Sequence, residues 1–124
     1  IASTKGYWYT YLAKNEASTE KPEKGEIAFF DYEIKDLNGK TIYSQTELKP
    51  QQYKVDKQDM IIGIRYGLKL MNTGDKVKFL FPSHLAFGYH GDNNRIGTNQ
   101  PLMCIVTLND VKPDPTAKPE TKIE

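Results

Sequence analysis

At 124 residues and 14.2 kDa the chain fits a single domain, large enough to bury one core without staples. Its 17 lysines and arginines against 16 acidic residues leave a net charge of +1 with no basic run. That balance excludes the electrostatic footprint of a nucleic-acid binder or of an anionic-membrane binder. A single cysteine, Cys104, excludes an internal disulfide and any paired-cysteine metal pattern, and no stretch is long enough to cross a bilayer.

In chain order, Gly6 to Leu12 is rich in aromatic and β-favouring residues and is predicted to be a strand. Trp8, Thr10 and Leu12 would share one face and Tyr7, Tyr9 and Tyr11 the other, so the strand is expected to be covered on both sides or to lie at a contact. Lys14 to Gly25 is polar and reads as a loop. From Glu26 to Ile34 a second strand alternates, with Ala28, Phe30, Tyr32 and Ile34 forming its apolar face. Asp36-Leu37-Asn38-Gly39 is a turn, the Asn-Gly pair supplying the positive φ of a tight hairpin. Thr41 to Ser44 is a third strand, and a short one follows Pro50 around Tyr53 and Val55.

The helical candidate is Gln58 to Met71, where Ile61, Ile64, Leu68 and Met71 recur at helical spacing. Gly63 and Gly67 inside it would each cost about 1 kcal/mol relative to alanine. Such a helix is expected to be short, held by packing and pressed against a sheet, with Gly74 beyond its end. Asp75 to Phe81 is a strand ended by Pro82. Ser83 to Gln100 is a long loop, a length that in a compact domain usually signals function. Leu102 to Val111 is the last strand, and the proline-containing stretch from Lys112 onward is expected to be an extended or disordered tail.

Most catalytic constellations find no support. Ser83 and His84 are adjacent, but no nucleophile-elbow motif accompanies them. His84 and His90 lie six apart in a glycine-rich loop, a spacing that fits no common zinc site. Gly91-Asp92-Asn93-Asn94-Arg95 resembles the start of a calcium loop but lacks the downstream acid. Gly63 and Gly67 are not followed by a phosphate-binding lysine.

One pattern spans residues 23 to 111. Asp31-Tyr32, Asn38-Gly39-Lys40, Ile61-Ile62-Gly63, Gly67-Leu68, Met71, Gly74-Asp75-Lys76 and Phe81-Pro82 stand in order, followed by Leu85-Ala86-Phe87-Gly88, Ile96-Gly97, Pro101-Leu102 and Val106-Thr107-Leu108. Their order and spacing resemble the FKBP-type prolyl isomerases, and within them the gliding-motility-associated envelope lipoproteins of bacteria. The resemblance implies an α+β fold, an antiparallel half-barrel sheet wrapped around one short helix. It divides the chain into an N-terminal strand and loop (1–22), the FKBP-type domain (23–111) and a flexible tail (112–124).

The activity it implies is peptidyl-prolyl cis-trans isomerisation, assisting the folding of exported or envelope proteins. The alternative is a non-catalytic FKBP-like binding module in an envelope assembly. The expected partners are proline-containing peptide segments or client proteins, with no nucleic acid, cofactor or metal. A monomer is expected, in the periplasm or tethered through an anchor upstream of Ile1.

By resemblance, Tyr32, Tyr43 and Phe87 form the catalytic group, and Ile42, Met60, Ile61, Ile64, Ile96 and Cys104 bind substrate, Ile61 through its backbone N–H. From the residues alone, Tyr32, Ile61 and Ile64 read as core, and Tyr43 as a packed surface tyrosine or a substitute donor. Ile42 and Tyr43 stand where the family usually shows Phe-Asp. Gln51 and Cys104 replace aromatics, and Phe87 lacks the hydroxyl of a tyrosine.

Overall fold

The computed structural model describes residues 1–58 and 60–115. Six antiparallel strands form one sheet: β1 (Trp8–Ala13), β2 (Ile27–Lys35), β3 (Thr41–Tyr43), β4 (Gln51–Lys54), β5 (Lys76–Phe81) and β6 (Leu102–Lys112). Their order is β1-β5-β6-β2-β3, and β4 pairs with the first half of β2 on the edge that β3 uses at its other end. A one-turn helix α1 (Gln45–Leu48) follows β3, and the nine-residue helix α2 (Ile62–Leu70) lies between β4 and β5.

The period-two pattern of β2 is realised as predicted: Ala28, Phe30, Tyr32 and Ile34 are buried and the residues between them are not. On β6, Leu102, Cys104, Val106 and Leu108 continue the same face, and on β5 Val77, Phe79 and Phe81 do. Register shifts interrupt the ladders between Phe29 and Phe30, between Ile34 and Lys35 and between Tyr11 and Ala13. Such irregularities bend a sheet, which allows these rows to curve over one helix.

The two helical glycines explain how α2 approaches that face. A Cβ on Gly63 would lie 2.5 Å from Phe81 Cδ1, and one on Gly67 would lie 2.5 Å from Phe79 Cζ. The helix backbone therefore rests directly on two stacked rings, 5.3 Å apart and inclined by 12°. The helix begins at Ile62, four residues after the predicted start, because Ile61 is extended at φ −49°, ψ 126°. Met60 and Ile61 carry the helical spacing but precede the helix.

The N-terminal strand joins the main sheet through β5 and covers only its tyrosine face: Tyr7 meets Phe79 and Phe81 edge-on, whereas Trp8 is 58% exposed and Leu12 48%. Two further expectations change. In the β2–β3 turn only Gly39 has a positive φ (+87°), and the Asp36 carboxylate accepts from the amides of Asn38 and Lys40. Of the expected tail, Lys112 lies in β6, paired with Ile27 of β2, and Asp114 forms an ion pair with Lys54. Residues 116–124 of that tail lie outside the described residues.

Asp75 is wholly buried and fixes the N-terminal segment to the end of α2. Its carboxylate accepts from the backbone amides of Asn15 at 2.7 Å and Asn72 at 2.9 Å. Asn15 Nδ2 in turn donates to the carbonyl of Thr73 at 2.8 Å.

Candidate functional site

The predicted site residues come from five places in the chain: β2, β3, the segment running into α2, the 83–100 loop and β6. Tyr32 rises from the middle of β2 beside Phe30, with ring centroids 5.6 Å apart, and keeps 9% of its surface exposed. Its partner across β6 is Val106. Ile42 and Tyr43 come from β3, Met60 and Ile61 from the segment before α2, and Phe87 from the 83–100 loop. All five are half-buried and pack on the same core. Ile64 and Ile96 are buried, at 0% and 3% exposure.

Ile64 and Cys104, assigned to substrate binding by resemblance, are both fully covered, Cys104 lying in one row between Phe79 and Ile34, and present no exposed surface. A cleft of about 380 Å³ adjoins Ile42 and is bounded otherwise by Asp36, Lys40, Thr41, Arg95 and Gln100. Another, of about 460 Å³ between Ile27, Lys54 and Asp114, contains none of the predicted residues.

The Tyr43 hydroxyl donates to a carboxylate oxygen of Asp92 and accepts from Asn94 Nδ2 at 3.2 Å. The bond to Asp92 is the main reason the phenol is raised above its ordinary value. Burial works to raise the Asp92 carboxyl, but hydrogen bonds from Tyr43 and from the amides of Ile96, Asn94 and Arg95 outweigh it and hold that group low. For Tyr32 burial is the leading cause of a raised phenol, and for Cys104 burial pushes the thiol up to about 12. Nothing in this arrangement prepares a nucleophile or a proton-transfer pair. It offers apolar walls and main-chain donors.

Asp92, Asn94 and Arg95 were noted from sequence only as the start of an incomplete calcium loop, and Glu47 was not singled out. Glu47 had a readable signal: Ser44-x-x-Glu47 is a capping box, and both reciprocal bonds form, Glu47 N to Ser44 Oγ at 3.1 Å and Ser44 N to Glu47 Oε1 at 3.0 Å. His84 and His90 are both exposed, and no group of three potential metal-ligating side chains occurs among the described residues.

An antiparallel sheet packed on one short helix is the FKBP-like fold. The chain belongs to the FKBP-type peptidyl-prolyl cis-trans isomerase family, whose profile matches residues 18–109. It is 35% identical over 104 residues to the FKBP-type peptidyl-prolyl cis-trans isomerase FkpA of Escherichia coli K12, covering 82% of this chain and 37% of that one. The probable FkpA of Neisseria meningitidis serogroup B is 26% identical over 98 residues, covering 79% and 36%. The chain thus spans little more than a third of the length of these curated relatives. Among solved structures, E. coli FkpA superposes with a TM-score of 0.77 at 30% identity, covering 93% of this chain and 52% of that one. A peptidyl-prolyl cis-trans isomerase from Pseudomonas syringae pv. tomato DC3000 superposes with a TM-score of 0.73 at 26% identity, covering 88% and 77%.

Proposed function

We propose that the chain is a peptidyl-prolyl cis-trans isomerase domain acting on proline-containing segments of client proteins. The observation that carries this reading is the family match over residues 18–109, beside half-buried Ile42, Met60, Ile61 and Phe87 packed on the core and a helix α2 with no side-chain cap. Rotation about an X–Pro bond is slow because amide resonance must be broken, leaving a barrier of roughly 20 kcal/mol. An apolar surface removes water from the resonance-stabilised planar amide, and a main-chain donor that fits the twisted form better than the planar one lowers the barrier further. The extended Ile61, immediately before α2, is the residue proposed to present that N–H. Ile96 and Ile64 hold the walls from beneath.

A second reading, a binding module without catalysis, draws support from one observation: neither flanking aromatic has a free hydroxyl. Phe87 has none, and that of Tyr43 is engaged with Asp92. A protease-coupled assay on Xaa-Pro peptides separates the two. Acceleration above the uncatalysed rate is expected, and peptide binding without acceleration would establish the second reading.

The finer assignment, assistance to exported or envelope proteins by a monomer tethered in or near the periplasm, with a link to gliding motility, rests on the sequence resemblance alone. Among the described residues no helix is long and apolar enough to cross a membrane. Fractionation of cells producing the full-length protein tests this assignment: recovery in the envelope is expected, and recovery in the cytoplasm would refute it.

A further inference from the structure

We propose that Asp92 and Arg95 are positioning residues that strap the loop carrying Ile96 to the strand and helix turn carrying Ile42 and Tyr43, and so set the gap in which a prolyl peptide lies. This deepens the isomerase reading and rests on it.

Two carboxylates divide their oxygens in the same way. Asp92 Oδ1 folds its own loop, accepting from the amides of Asn94 at 2.9 Å, Arg95 at 3.0 Å and Ile96 at 2.8 Å. Its other oxygen crosses to β3 and takes the Tyr43 hydroxyl. Glu47 Oε1 caps α1 through Ser44, and its Oε2 crosses in the opposite direction to Arg95 Nη2 at 2.8 Å. Arg95 closes the strap: Nη1 donates to the carbonyl of Ile42 at 2.8 Å, and the guanidinium lies 4.7 Å from the centre of the Tyr43 ring. The backbone bond from Asp92 N to Ile96 O, at 3.1 Å, completes the loop.

An exposed ion pair such as Arg95–Glu47 contributes little alone. Here it is one of several bonds joining the same two elements, and each carboxylate that crosses the gap is already held by its own backbone. Ile96 follows Arg95 directly and its amide is one of the three on Asp92, so the strap fixes the residue that underlies the site. Its purpose is order before binding. A wall that wanders lowers the fraction of binding-competent molecules, and the apparent dissociation constant rises by the same factor.

The test is Arg95→Met, which keeps an unbranched stem beside the Tyr43 ring and deletes the bonds to the Ile42 carbonyl and to Glu47. On an Xaa-Pro tetrapeptide, KM is expected to rise about three- to tenfold with kcat kept. Amide exchange at Asn94 and Ile96 should quicken while the melting temperature holds. Arg95→Lys is expected to restore only part, since an ammonium lacks the planar fork that spans two acceptors. An unchanged KM overturns the proposal. So does a fall in kcat alone, which would place Arg95 on the reacting bond, or a KM rise matched by a lower melting temperature, which would make the strap a general fold element. If the parent lacks isomerase activity, that reading fails separately. The strap is then read from peptide affinity by NMR titration, where the same rise is expected and an unchanged affinity overturns it.

Discussion

The hydroxyl of Tyr43 spends its only proton on the carboxylate of Asp92. A phenol so engaged is not free to donate to a peptide carbonyl, and Phe87 has no hydroxyl to offer, so the site lacks a side-chain O–H donor from either of these rings. Adding one through Phe87→Tyr is expected to raise kcat. A net hydrogen bond contributes about 0.5–1.5 kcal/mol, or about two- to twelvefold in rate if it is felt only in the transition state. The same gain is expected in a Tyr43→Phe background. A larger gain there would show that the native Tyr43 leaves Asp92 during turnover and serves as a substitute donor.

Gly67→Ala should destabilise the protein although alanine favours helix. The propensity gain is about 1 kcal/mol, but the new Cβ would sit 2.5 Å from Phe79 Cζ in a wholly buried contact. Overpacking of this kind costs about 1–3 kcal/mol, so a net loss of up to about 2 kcal/mol is expected from urea denaturation. A stabilised variant would mean that α2 does not rest on the rings of β5.

How much of this was legible in the sequence depends on distance along the chain. The buried face of β2 was readable because alternation over nine residues is a local signal that a half-buried strand must carry. The close approach of α2 was readable from two glycines that a free helix would not tolerate cheaply. Its start was overrun because Met60 and Ile61 have the apolar spacing of a helix while serving a different surface. Helix α1 has four residues, too few to show a period, although its capping box was written in Ser44 and Glu47. The Asp92–Tyr43 and Arg95–Ile42 bonds join residues 49 and 53 apart. Nothing local in a polar, glycine-rich loop states which strand it will meet, so the strap became visible only with the fold.

Asp75→Ala is expected to loosen the N-terminal strand before the rest of the sheet. The buried carboxylate holds the amides of Asn15 and Asn72. Hydrogen bonds to a charged group contribute about 1.5–3 kcal/mol each, so a loss of at least that size is expected from denaturation. Amide exchange should rise first in β1, at Tyr9 and Tyr11. Uniform loss across β1, β5 and β6 would assign Asp75 to the whole fold instead.

Acid should release the strap late. The Arg95 guanidinium, followed by the Ser44 amide, lowers the Glu47 carboxyl from 4.5 to about 2. A folded value below the unfolded one means that the contribution is present above about 4.5 and is lost as pH falls toward 2. Asp92, faced by Tyr43 and by three loop amides, shifts in the same direction. Protection of the Arg95 and Ile96 amides is therefore expected to hold from pH 7 to 5 and to decline below that. Carbon NMR of the Glu47 carboxyl checks the assignment, and an inflection at or above 4.5 would contradict it.

Cys104 should be chemically silent until the protein unfolds. It is fully covered, and burial raises its thiol from 9.0 to about 12, so the reactive thiolate is scarce at neutral pH. At pH 8 a disulfide reagent is expected to label it no faster than the chain unfolds globally, with the labelling rate rising in urea in step with the unfolding rate. The same shift has a consequence in base. Above about 9 the unfolded chain releases a proton that the folded chain keeps, so stability is flat below that value and falls as pH climbs toward 12. Tyr7, Tyr11, Tyr32 and Tyr43 are also raised and add to the slope. The contribution of Cys104 must therefore be read by difference, and Cys104→Ala is expected to make the alkaline decline shallower while lowering stability at neutral pH through the cavity it leaves. Rapid labelling of the native protein at pH 8, or an unchanged alkaline slope in Cys104→Ala, would show that the row between Phe79 and Ile34 opens without global unfolding.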